Sequence, residues 1–109
     1  MKLDEYQAKA GEFAIYHNHD SGEDEIAMYP FLALSEEVGE VNGKIAKSLR
    51  GDKELETYDI AKELGDVLWN LSECARQIGW RMSDIAQLNI NKLDARQRAN
   101  TIKGDGDDR

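Results

Sequence analysis

One cysteine and one proline stand in a chain of 109 residues. Cys74 alone cannot close an internal disulfide, so covalent stapling is excluded as a source of stability. Long apolar runs are missing as well. No stretch approaches transmembrane length, and the start Met1-Lys2-Leu3-Asp4-Glu5 is charged where a signal peptide would be apolar. Together these absences point to the cytoplasm. Positive charge is scarce, with 14 Lys and Arg against 22 Asp and Glu for a net charge of −8. The long-range field therefore repels nucleic acid and anionic membrane alike, and leaves open a small phosphorylated ligand bound through metal. Strict alternation of apolar and polar residues is absent and β-branched residues are scattered, which excludes a sheet-based fold. What remains is a single domain over 1–109, able to bury about 60–70% of its unfolded surface, a size at which a bundle often gains by oligomerising.

Helical periodicity fills most of the chain. Asp4 with Gln7 three residues on reads as a capping box, and Tyr6, Ala10, Phe13 and Ala14 give a stripe reaching about His17. The run His17 to Asp24 is polar and turn-forming, hence a loop; His17 and His19 have no cysteine nearby and read as solvated rather than metal-ligating. Pro30 suits a first helical turn, so a second helix is expected from about Pro30 to Leu49, closing at Arg50-Gly51. A third is expected over roughly Asp59 to Ile78, stopping at Gly79, with Cys74 in its apolar stripe. Ser83 is a candidate N-cap for a fourth, running through Ile85, Leu88, Ile90 and Leu93 to about Arg98. The expected architecture is an all-α four-helix bundle.

The second and third helices carry the same phrase twice. Leu34-Ser35-Glu36-Glu37-Val38-Gly39-Glu40-Val41 returns as Ile60-Ala61-Lys62-Glu63-Leu64-Gly65-Asp66-Val67. Residues three apart are separated by roughly 300° on an α-helix, so Glu37 and Glu40 share one side of their helix, and Glu63 and Asp66 one side of theirs. At about 100° per residue, Leu34, Val38, Val41, Ile45 and Leu49 form one apolar stripe, and Ile60, Leu64, Val67, Leu71, Ala75 and Ile78 the other. The acids, with Asn70, flank these stripes. Antiparallel packing through the stripes would bring four carboxylates to one seam, which is costly unless a cation is present. Oxygen-only donors suit a hard cation such as Mg²⁺ or Mn²⁺. A single Glu-x-x-Glu in so charged a chain is usually a solvated face, and the repetition is what makes a metal site the stronger reading. Gly39 and Gly65, each between paired acids, cost about 0.5–1 kcal/mol relative to alanine, and imply close backbone approach or room beside the carboxylates.

Glu37-Val38-Gly39-Glu40, a twenty-two-residue spacer and Glu63-Leu64-Gly65-Asp66 resemble the Glu-x-x-Glu, spacer, Glu-x-x-Asp signature of the MazG-like all-α nucleoside triphosphate pyrophosphohydrolases. The start Leu3-Asp4-Glu5-Tyr6-Gln7, the segment Lys44 to Gly51, and Asn91-Lys92-Leu93, Arg96-Gln97 and Gly104 to Arg109 also look like compact members. The resemblance implies hydrolysis between the α- and β-phosphates of a (deoxy)nucleoside triphosphate, with Mg²⁺ held by Glu37, Glu40, Glu63 and Asp66, and a role in clearing unwanted nucleotides. It also implies assembly of helical hairpins into a dimer or tetramer. Glu36, about 100° around the helix from Glu37, faces solvent or orients the attacking water.

A tetra-anionic substrate also needs local positive charge. Lys44 lies one turn beyond Glu40, Asn70 takes the matching place beyond Asp66, and Lys92, Arg96, Lys103 and Arg109 are further candidates. Residues 104–109 form a polar tail that is either solvated or reaches a neighbouring subunit's site. For the base, Trp69, Phe13 and Tyr16 are stacking candidates, with Trp80 and Tyr29 behind them; Trp69, opposite the apolar stripe, suits a subunit interface or a base wall. Neither base nor sugar preference follows from these residues. Two rival readings are a non-catalytic metal-stapled helical module and a hydrolase of another phosphorylated compound.

Overall fold

A computed structural model describes residues 1–108, the side chain of Glu23 excepted. Four α-helices, α1 Leu3–Gly11, α2 Tyr29–Leu49, α3 Thr57–Gln77 and α4 Met82–Ala99, follow one another with a 3-10 turn at Gly22–Asp24 before α2, and no strand occurs among the described residues. None of the helices is long and apolar enough to cross a membrane. The antiparallel hairpin of α2 and α3 is the largest packed unit, with α1 set against α3 and α4 against α1 and α3.

Three helices end on the same device. Gly51 (φ 88°) and Gly79 (φ 76°) adopt the left-handed conformation glycine reaches without a Cβ penalty, and Asn100 (φ 59°) does so after α4. In each case the next amide turns back onto the helix: Asp52 N–H donates to Lys47 O at 3.0 Å, Trp80 N–H to Ala75 O at 2.9 Å and Thr101 N–H to Arg96 O at 2.8 Å. The glycine stops expected for α2 and α3 are therefore where the chain places them, and Pro30 sits in the first turn of α2.

The helix starts differ from expectation. α1 ends at Gly11 rather than near His17, and its N-cap is Lys2, whose N–H faces the Glu5 carboxylate at 3.5 Å. Asp4 and Gln7, expected to cap α1, cap α4 instead. Asp4 accepts from Ser83 N–H at 2.9 Å and from Ser83 Oγ–H at 2.6 Å, and Gln7 Oε1 accepts from Met82 N–H at 2.9 Å. Ser83 is thus a first-turn residue that is itself bonded, not the N-cap; that position belongs to Arg81. Unsatisfied first-turn amides of one helix are met by side chains of another, so the cap is also a tertiary bond.

A buried polar knot ties the segment between α1 and α2 to α3. Glu73 has no exposed surface. Its carboxylate accepts from Tyr16 Oη–H at 2.7 Å, from Arg76 Nη2 at 2.7 Å and from Arg76 Nε at 3.1 Å. Arg76 and Gln77 each donate to His19 O at 3.0 Å, and Gln77 Oε1 accepts from Ala27 N–H at 2.9 Å. Burial, then the bond to Glu73, pushes the Tyr16 hydroxyl up to about 12, so it stays a proton donor. The loop expected over His17 to Asp24 is therefore pinned to α3. His17 is exposed, and His19 faces Asp20 at 3.2 Å.

The apolar stripes of α2 and α3 divide. Leu34, Val41, Ile60, Val67 and Ala75 are buried or half-buried, whereas Val38 (42% exposed), Ile45, Leu64 (51% exposed), Leu71 and Ile78 stand open. The open residues recur every seven positions, 38 to 45 and 64 to 71 to 78, one edge of a helical seam. The fully buried apolar core is correspondingly small: Ala10, Ala14, Ala27, Ala33, Cys74, Ala75 and Met82. With a radius of gyration of 16.8 Å against about 13 Å for a compact domain of this length, the chain forms an open arrangement of four helices rather than a closed four-helix bundle.

Candidate metal and nucleotide site

Antiparallel pairing of α2 and α3 sets the two copies of the repeated phrase side by side. Carboxylate oxygens of Glu37, Glu63 and Asp66 converge so that all lie within 4.8 Å of one another. The Glu37 carboxyl is pushed above the usual carboxylate range, chiefly by burial and then by the charges of Asp66, Glu63, Glu40 and Glu36. Glu40, expected in the same set, lies outside the converging three and is exposed, though near enough for its charge to act on Glu37. Glu36 is exposed to solvent. The donor set is all oxygen and carries more like charge than it can hold without a counter-ion, so these residues fit a hard divalent cation.

One such counter-ion comes from the chain itself. Lys44, one turn beyond Glu40 on α2, brings Nζ to 3.4 Å from Glu63 Oε1. Asn70 is buried, 4% exposed, one turn beyond Asp66. Its amide nitrogen donates to Asp66 O at 3.0 Å, which fixes the orientation of the side chain and leaves Oδ1 without a partner among the described residues. What Asn70 has left to offer is an acceptor, suited to a hydroxyl or a water rather than to a fully ionised phosphate.

The remaining candidates are placed elsewhere. Lys92 Nζ pairs with Asp107 at 3.0 Å, and buried Arg96 donates from Nη2 to Asp107 O at 2.9 Å, so both are engaged by the C-terminal tail and not by the acids. The hydrogen bond and charge of Lys92, with Arg96 alongside, hold the Asp107 carboxyl below its ordinary value. The tail, weighed as solvated or as reaching another subunit, folds back on α4 of its own chain. Lys103 is exposed, and Arg109 lies outside the described residues.

Trp69, expected at an interface or a base wall, docks α1: its indole N–H donates to Ala10 O at 3.0 Å, and its ring meets Tyr16 edge-on at 6.4 Å. Tyr16 is committed to Glu73 and stacks on Tyr29 at 5.4 Å. Phe13 is 67% exposed and Trp80 45%. The room inferred at Gly39 and Gly65 is present, but the close approach is not: a Cβ at either would meet nothing within 4 Å among the described atoms.

Sequence reasoning passed over Glu73, Lys47 of α2 and Lys53 of the α2–α3 connection. Glu73, Arg76 and Gln77 share a helix face with Trp69 and Asn70, and the i,i+3 acid–base pair on that face was the available signal.

Helices α2 and α3 thus oppose two acidic phrases across a hairpin, with Lys44 paired to one of the acids. The MazG nucleotide pyrophosphohydrolase domain family matches residues 29–100, from the start of α2 past the end of α4, and the chain belongs to that family. The Gene 37 protein of Mycobacterium phage L5 is 36% identical over 114 residues that cover 100% of both chains. No solved structure matches the chain.

Proposed function

We propose that the chain hydrolyses (deoxy)nucleoside triphosphates between the α- and β-phosphates, giving monophosphate and pyrophosphate, with Mg²⁺ as its cation and Mn²⁺ as a substitute. The supporting observation is the convergence of Glu37, Glu63 and Asp66 oxygens within 4.8 Å in a chain of this family. Those three, with Glu40 beside them, would hold the cation, which when bound neutralises phosphate charge and activates water. The chain's own groups do the rest. Glu36, exposed beside Glu37, orients the attacking water or faces solvent. Lys44 offsets the charge of the phosphates, Asn70 Oδ1 accepts from a hydroxyl or water, and exposed Phe13 is available to a base. Lys92 and Arg96 join the phosphate site only if they leave Asp107, and Arg109 remains a candidate that lies outside the described residues. The biological role this reading implies is removal of unwanted nucleotides from a cytoplasmic pool.

The working form in this reading is a dimer, or a tetramer built from two such dimers, closed through the open seam of Val38, Ile45, Leu64 and Leu71. Burying apolar surface at about 25 cal/mol per Å² would favour such closure. Phosphorus NMR of products formed from each canonical triphosphate with Mg²⁺ tests the reaction: monophosphate and pyrophosphate are expected, whereas diphosphate and orthophosphate would overturn it.

A further inference from the structure

Lys44 stands at the junction of two features. On one side its ammonium meets the carboxylate of Glu63 at 3.4 Å, inside the acid cluster. On the other it lines a groove of about 150 Å³ between the end of α2 and the connection into α3, where Lys44, Lys47 and Lys53 face Glu54, Glu56 and Asp59. Within that groove Asp59 is already shared by Lys53 and Lys62, each at 3.4 Å. Lys47 has no ion pair among the described residues. The seven residues from Glu37 to Lys44 and the three from Lys44 to Lys47 rise about 1.5 Å each, so acids, Lys44 and Lys47 form a line roughly 15 Å long. An extended triphosphate could lie along much of it.

We propose that Lys44 is an exchangeable counter-ion. In the metal-free protein it holds Glu63; when a divalent cation takes Glu63, the released ammonium turns to the groove and, with Lys47, binds the terminal phosphates of the substrate. The exchange rests on the metal-site reading above and deepens it. It makes cation and triphosphate binding mutually reinforcing, because each ligand rewards the position of Lys44 that the other needs.

The test is Mn²⁺ binding, read by the electron paramagnetic resonance signal of the free ion, with and without inorganic tripolyphosphate. Wild-type protein is compared with Lys44→Met, Lys44→Arg and Lys47→Met. A partly exposed ion pair competes weakly, so Lys44→Met should bind Mn²⁺ alone about two- to fivefold tighter. It should also lose most of the tightening that tripolyphosphate gives the wild type. Lys44→Arg should restore wild-type Mn²⁺ affinity. Lys47→Met should leave Mn²⁺ affinity alone unchanged and weaken only tripolyphosphate. Unchanged or weaker Mn²⁺ binding by Lys44→Met overturns the exchange while leaving the metal site standing. Absence of Mn²⁺ binding by the wild type overturns the metal site, and the exchange with it.

Discussion

Two buried or half-buried carboxylates, Glu37 and Glu73, show how environment decides what an acid does. Glu73 is enclosed but fully answered, by Tyr16 at 2.7 Å and by two nitrogens of Arg76. Glu37 is less enclosed and answered only by other acids, so its charge is a cost until a cation arrives. Removing an acid from the two settings should therefore have opposite effects. Glu73→Ala strands Arg76 and frees the segment before α2, and should lower stability by about 3–5 kcal/mol in urea denaturation; a loss below about 1 kcal/mol, the range of exposed pairs, would contradict its anchoring role. Asp66→Asn should bind Mg²⁺ far more weakly, yet melt no lower than wild type without metal, because it removes part of a repulsive set. A lower metal-free melting temperature would show that Asp66 is held by something other than its acidic neighbours.

Between elements, the docking of α4 hangs on the Asp4 carboxylate. The side-chain and backbone hydrogen bonds from Ser83 hold Asp4 below its ordinary value of 3.8. A carboxyl whose folded value is depressed contributes stability above its unfolded value, and that contribution is lost as pH falls through the folded one. Acid unfolding of the wild type below pH 3.8 should thus begin with loss of α4 docking, whereas Asp4→Asn should show a smaller dependence on pH in that window. Identical acid profiles would dismiss the carboxylate as the clasp. This clasp also marks where sequence reading reached its limit. The helices, their glycine stops and the paired acids follow from local chemistry and period, and were legible. That Asp4 and Gln7 serve α4 rather than α1 was not, because an N-capping side chain carries no label for which helix it caps. Glu73 was hidden for a related reason: Arg76 is its i,i+3 neighbour on α3, but Tyr16 reaches it only through tertiary packing.

At the scale of the molecule, the open seam explains a misread core. Periodicity assigned Val38, Ile45, Leu64 and Leu71 to an apolar stripe correctly, but period cannot say whether a stripe is covered by the same chain or by another. In the structure they stay exposed while Leu34, Val41 and Val67 are half-buried. In the proposed dimer, Leu64→Glu should therefore leave the helical content intact and shift the mass measured by light scattering to that of a monomer; an unchanged oligomer would place the interface elsewhere. Gly39 and Gly65, one residue on from Val38 and Leu64, are exposed too. Alanine at either meets nothing within 4 Å among the described atoms and should stabilise a monomer by about 0.5–1 kcal/mol. Destabilisation of the assembled protein instead would mean that a partner's backbone approaches there.

The central claim is that the acids shared by α2 and α3 hold a metal that serves pyrophosphate release. Its most direct test is a pyrophosphate-release assay across the canonical ribo- and deoxyribonucleoside triphosphates with Mg²⁺, run on wild type and Glu63→Gln. Pyrophosphate from one or more substrates, abolished by chelation and absent in the variant, is the predicted result. Release that persists in Glu63→Gln would contradict the site, and silence across the panel with Mg²⁺ still bound would contradict the reaction.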